Sequence, residues 1–148
     1  MTSRELDNLV KAGALKAEAP ARAELEGLID SGRKRLGDAR KDGISAESRF
    51  DLAYNAAHAF ALAAMRWNGY RPANKRYVVF QALPHTLGIP AATWRVLDKC
   101  HGLRNAFEYD GIFDVDTRLL HDLMVAAELL QEKIASLDLS SVSTPTKT

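Results

Sequence analysis

Ser45 and Gly69 bracket a run that contains neither proline nor glycine and is crowded with alanine. Ser45 is a side-chain cap, Gly69 a left-handed stop, and Pro72 prevents resumption, so the run reads as one long helix. It spans Ala46 to about Asn68. Phe50, Ala53, Tyr54, Ala57, Ala61, Ala64 and Met65 form one apolar stripe along it, and Leu52, Ala56, Ala59 and Ala63 form another. A helix apolar on two sides is covered on two sides, and its small side chains let neighbouring backbones approach closely. The segment therefore belongs at the centre of a bundle.

The flanking segments supply the cover. Ser3 caps a short helix through Lys11, with Leu6, Leu9 and Val10 at helical spacing and Gly13 as its stop. A second helix begins with Pro20 or Ala21 near its first turn and carries Leu25, Leu28, Ile29 and Leu36 on one side, with Gly32 and Gly37 weakening it. Asn74 is placed to cap a helix through about Leu87, which Pro84 kinks or shortens, and Gly88-Ile89-Pro90 is a turn. The next helix, from about Ala92 to Glu108, has Val96, Cys100, Leu103 and Phe107 as its apolar stripe. Asp114 or Asp116 starts the last, in which Leu120, Leu123, Met124, Ala127, Leu130, Ile134 and Leu137 recur at three and four. The tail from Ser140 is rich in Ser and Thr and reads as disordered.

No segment alternates over strand length, and no internal repeat is present. The predicted fold class is all-α, an up-and-down bundle of four long helices with a short N-terminal helix. Residues 1–19 form the N-terminal extension, 20–138 the bundle and 139–148 the tail.

Composition narrows the function classes. The chain has 20 Lys and Arg against 19 Asp and Glu, so any nucleic-acid surface is a local patch rather than a global charge. A single cysteine, Cys100, excludes an internal disulfide and a cysteine-cluster zinc site, and suits a reducing compartment; a soluble cytoplasmic protein is expected, with no membrane segment. His58, His85, His101 and His121 are scattered over separate helical segments and make no zinc spacing, so neither metal nor cofactor is predicted. His58 and His85 read as buried, hydrogen-bonded residues that lock helices together. A glycine-rich phosphate loop, a Gly-x-Ser-x-Gly elbow and a His-Glu-x-x-His helix are all missing, which removes the nucleotide hydrolase, α/β hydrolase and zinc protease readings in their usual forms.

One helix holds the candidate site. At about 100° per residue, His101, Arg104, Asn105, Glu108 and Tyr109 point away from the stripe of Val96, Cys100, Leu103 and Phe107. They form a polar face. Two basic runs add to it, Arg33-Lys34-Arg35 with Arg40 and Lys41, and Arg71 with Lys75 and Arg76, the second close to Trp67, Tyr70 and Tyr77 as stacking surfaces. Asp38 and Asp42 interrupt the first run, so a solvated helix face explains it as well.

The run from Ser45 to His58, the segments Gly69-Tyr70-Arg71-Pro72 and Ala82-Leu83-Pro84-His85, and Leu103-Arg104-Asn105, taken in this order, resemble a HEPN domain over roughly residues 20 to 135. The resemblance implies a helical bundle that dimerises and brings two copies of an Arg, polar residue, later His motif together in a cleft. Catalytic members of that family are metal-independent ribonucleases, and many are toxins paired with a nucleotidyltransferase or other antitoxin. By this resemblance Arg104 holds the scissile phosphate and Asn105 orients or hydrogen-bonds it. Tyr109 stands where the family has histidine.

A tyrosine with an ordinary pKa of about 10 is a poor proton acceptor at neutral pH, but it can stack on a base or donate to a phosphate. His101, one turn before Arg104, and Glu108, one turn after it, are the alternative proton-transfer groups. The competing reading is structural. Arg104 pairs with Glu108 or Asp110, Tyr109 anchors the turn at Asp110-Gly111, and the protein is a non-enzymatic dimeric helical module for a protein partner.

Overall fold

The computed structural model describes residues 4–111 and 114–142. The alanine-rich run is helix α3, Ala46–Trp67, following the helices α1, Arg4–Lys11, and α2, Arg22–Ala39. Ser45 caps it as expected, its Oγ accepting from the Ser48 amide at 3.1 Å. Ala53, Ala56, Ala57, Ala61, Ala63 and Ala64 are all fully buried, so both stripes are covered. α2 packs along one side of α3, and α7, Thr117–Ala135, along another. α6, Ala91–Asp110, lies against α7 and ends at Gly111, whose φ of 67° is the left-handed stop that glycine takes without a Cβ clash.

α2 and α3 approach closely at Gly32. A Cβ at Gly32 would stand 2.5 Å from Cε1 of Phe60, and the Phe60 ring is itself fully enclosed. Gly32 is therefore more than a weak spot in its helix; it makes room for a core aromatic. Gly32→Ala is expected to lower stability by about 1–3 kcal/mol through overpacking, despite the better helix propensity of alanine. Gly27→Ala and Gly37→Ala, where a Cβ meets nothing within 4 Å, gain up to about 1 kcal/mol instead. Urea midpoints of the three variants check this; a Gly32→Ala midpoint at or above wild type rejects the close contact.

The chain also holds two short strands, β1, Leu15–Ala17, and β2, Tyr70–Pro72, paired antiparallel with Leu15 opposite Pro72 and Ala17 opposite Tyr70. Three residues are too few for alternation to show, and the pairing joins segments far apart in sequence. Asn74 caps no helix. Its Nδ2 donates to the Gly13 carbonyl at 3.2 Å, fastening the turn before β1. The expected helix to Leu87 is instead two single turns, α4, Val78–Gln81, and α5, Leu83–Thr86, because Pro84 has no N–H to give the Phe80 carbonyl and its ring crowds that turn. His85 is exposed rather than buried.

The N-terminal segment is built into the fold. Leu6 is fully buried, and the Tyr70 hydroxyl donates to Asp7 Oδ1 at 2.6 Å. At the other end Asp116 caps α7 by accepting from the Arg118 amide at 3.0 Å. Ser140 and Ser141 belong to a 3-10 turn, Leu139–Ser141, to which Arg22 of α2 donates through the carbonyls of Leu139 and Ser140 at 3.2 and 3.1 Å. Ser140 and Ser141, expected to be disordered, thus form a hydrogen-bonded turn; residues 143–148, like the Ser3 cap, lie outside the described residues. Among the described residues no helix is long and apolar enough to cross a membrane.

Candidate functional site

Asp51, Tyr54, Asn55 and His58 recur along α3 at intervals of three and four and so share one helical face. That face meets α6. Below the site the two helices are held by Phe50 against Phe107, edge to face at 5.6 Å. Above that contact the side chains turn polar. The Tyr54 hydroxyl lies 3.0 Å from His101 Nδ1, and His101 Nε2 lies 3.3 Å from the Asn105 amide nitrogen. With that nitrogen donating to Nε2, the ring proton sits on Nδ1 and is donated to the Tyr54 oxygen, leaving the phenol hydrogen free to point outward.

Arg104 completes the cluster. Its guanidinium stands over the Tyr54 ring, 4.9 Å from the centroid, and Nε approaches Asp51 Oδ1 at 3.6 Å. Both partners are half-exposed, so this ion pair positions more than it stabilises. The segment ahead of α4 closes the site from a third side. Tyr77 stacks on His101 with centroids 3.9 Å apart and 19° between planes, and its hydroxyl donates to Asp98. Tyr54, Asn55, His58, Arg76, Tyr77, His101 and Arg104 together line a cavity of about 120 Å³.

The surroundings set the protonation states. Burial pushes His58 down to about 4, helped by the positive charges of Arg76 and Arg104, so it is neutral at pH 7. His101 is also held below its ordinary value, chiefly by burial and against the pull of Asp98. Burial raises the Tyr54 phenol, with Arg104 opposing, and it raises Tyr77 further, with the Asp98 hydrogen bond adding to it. Two neutral imidazoles and two un-ionised phenols therefore stand beside two guanidiniums. Cys100 is fully buried beneath, its thiol pushed up to about 12 by burial, and acts as a core side chain.

The predicted polar face of α6 divides. His101, Arg104 and Asn105 come together, with Asp51 rather than Glu108 or Asp110 as the Arg104 partner. Glu108 lines a neighbouring groove of about 590 Å³ with Glu47, Ser48, Asp51, Phe50 and Phe107. Tyr109 is 83% exposed and lines neither. The reason is helical phase: Leu97 is fully buried while Val96 and Leu103 are only half-buried, which rotates the inward face toward Arg104. Tyr109, five residues on, then lies about 140° round the helix.

Asp51, Tyr54, Asn55, Arg76 and Tyr77 were not singled out as one site by sequence. The spacing 51, 54, 55, 58 was the available signal, masked because Tyr54 also fits the apolar stripe. Of the basic runs, the first is a solvated face, with Lys34 paired to Asp30 and Lys41 to Asp38 within α2 and its end. The second contributes Arg76 to the cavity, while Arg71 pairs with Glu18. No protein-family model matches the chain, and no curated protein does.

Proposed function

We propose that this protein is a HEPN-type RNA-acting protein, an up-and-down bundle of four long helices that works as a homodimer and as an atypical metal-independent endoribonuclease. Its setting is a toxin-antitoxin or phage-defence system, with an antitoxin or nucleotidyltransferase as partner. The observation that carries the reading is the convergence of Arg104 and His101 on Tyr54 in one polar cavity. Arg104 holds the scissile phosphate and offsets the charge that develops on it. His101, neutral at pH 7, takes the proton of the attacking hydroxyl as that oxygen bonds to phosphorus, the P–O bond to the departing strand breaks and the leaving oxygen is protonated by water; this is the role that the Tyr109 position does not fill. Turnover is correspondingly slow, because His101 first has to yield its contact with Asn105.

Incubation of the purified protein with total RNA in chelator tests this directly. Arg104→Ala is expected to cut the cleavage rate about 100-fold, His101→Ala to a comparable floor, and Tyr109→Phe to leave it within about threefold. Equal cleavage by wild type and Arg104→Ala marks a contaminant and ends the proposal. A second reading, a non-enzymatic dimeric module for a protein partner, is favoured by the exposed Tyr109 and, separately, by the groove lined by Phe50 and Phe107. It prevails if wild type neither binds nor cuts RNA, while Tyr109→Ala loses a partner that Arg104→Ala keeps.

A further inference from the structure

Arg76 adds a second cation to the cavity, and the chemistry proposed above does not use it. It comes from residues 73–77, far in sequence from Arg104, and lines the same space. Arg76 is exposed and has no ion-pair partner among the described residues, whereas Arg104, which lines the same cavity, meets Asp51. Two guanidiniums at one small cavity repel each other unless an anion lies between them. Asp51 and Asp98 border the site, but Arg104 engages the first and the Tyr77 hydroxyl the second.

Size selects the anion. At about 120 Å³ the cavity is far below the roughly 300–1,000 Å³ that a drug-sized ligand occupies, so it admits a phosphate group and leaves a nucleoside outside. The Arg76 segment is held in place by its neighbour. Tyr77 stacks on His101, and His58 lines the cavity beside Arg76.

We infer that the cavity is a single-phosphate site in which Arg76 and Arg104 clamp one phosphate of an RNA strand. The identity of the strand as RNA rests on the function proposed above; the phosphate clamp itself does not. Bidentate guanidinium contacts give the affinity, and the base makes no contact inside the cavity, so binding is independent of sequence.

Titration with inorganic phosphate, followed by calorimetry, and salt-dependent binding of short RNA test the clamp. Arg76→Gln is expected to weaken phosphate binding about tenfold and to lower the salt slope of RNA binding by about 0.7, the loss of one phosphate contact. Lys16→Gln, the same charge change on an exposed strand residue, leaves both unchanged. Tighter binding of 3′-phosphorylated than of 3′-hydroxyl strands assigns the site to strand ends, and equal binding to internal phosphodiesters; either supports the clamp when Arg76→Gln weakens that binding. RNA binding that persists while phosphate binding is absent or insensitive to Arg76→Gln overturns the clamp and leaves the RNA function standing. Arg76-dependent phosphate binding without RNA binding or cleavage overturns the RNA function and leaves the clamp.

Discussion

Arg66→Met is expected to lower the unfolding free energy by about 3 kcal/mol and the thermal midpoint by roughly 10 °C. Arg66 is 5% exposed near the end of α3 and is the one buried charged side chain among the described residues. Its Nη1 donates to the carbonyls of Glu18 and Tyr70 at 2.9 and 3.1 Å, and its Nη2 to the Ala19 carbonyl at 3.1 Å. The same Nη2 meets Glu24 Oε1 at 2.8 Å and Glu18 Oε2 at 3.2 Å. One guanidinium thus joins the end of α3, strand β2, the segment after β1 and the first turn of α2.

Methionine fills the space but supplies no donor, so three carbonyls and two carboxylates lose their partner at once. Both carboxylates are half-exposed and can rehydrate, which keeps the loss toward the lower end of the range for a broken buried pair. Arg66→Lys retains the charge without the fork and recovers less than half of the loss. Differential scanning calorimetry measures all of this, and a midpoint within about 3 °C of wild type for Arg66→Met contradicts the assignment. Glu24 reports the same contact: burial works to raise its carboxyl, but the Arg66 hydrogen bond and charge hold it below its ordinary value.

Stability is expected to fall by about 2 kcal/mol between pH 7 and pH 5, with His58 as the main cause. Its ordinary value is 6.5 and in the fold it is pushed down to about 4, by burial first and then by Arg76 and Arg104. Between those values the unfolded chain takes up a proton that the folded chain refuses. Stability is therefore full above about pH 6.5 and is lost as pH falls toward about 4. His101, also lowered, acts in the same direction. His58→Gln removes the larger titration and should leave a shallow dependence over this window, where ordinary carboxylates stay ionised. Urea midpoints at pH 7 and pH 5 decide it: equal slopes for the two proteins reject a partly buried, neutral His58.

The helices were legible for different reasons in each case. α3 and α7 have caps at Ser45 and Asp116 and apolar repeats that no other local structure satisfies, and both appear within a residue or two of their expected bounds. The segment from Asn74 misled, because a good capping residue preceded a short apolar run whose continuation Pro84 forbids. α6 was placed correctly and turned wrongly. Its stripe is broken by Lys99, His101 and Arg104, so Val96 and Leu103 gave a phase that Leu97, buried in the structure, corrects.

Local sequence alone determined the helical content, the central place of α3, and the nearness of His101, Arg104 and Asn105 on one helix. Those properties depend on spacing within a single segment, where 3.6 residues per turn does the placing. Only the tertiary structure decided that Asp51, Tyr54 and His58 face that helix, that Arg76 and Tyr77 close over it, and that Tyr109 stays outside. These depend on how helices rotate and dock against one another. That outcome is set by the summed packing of residues such as Leu97, Phe60 and Gly32, which no local pattern reports.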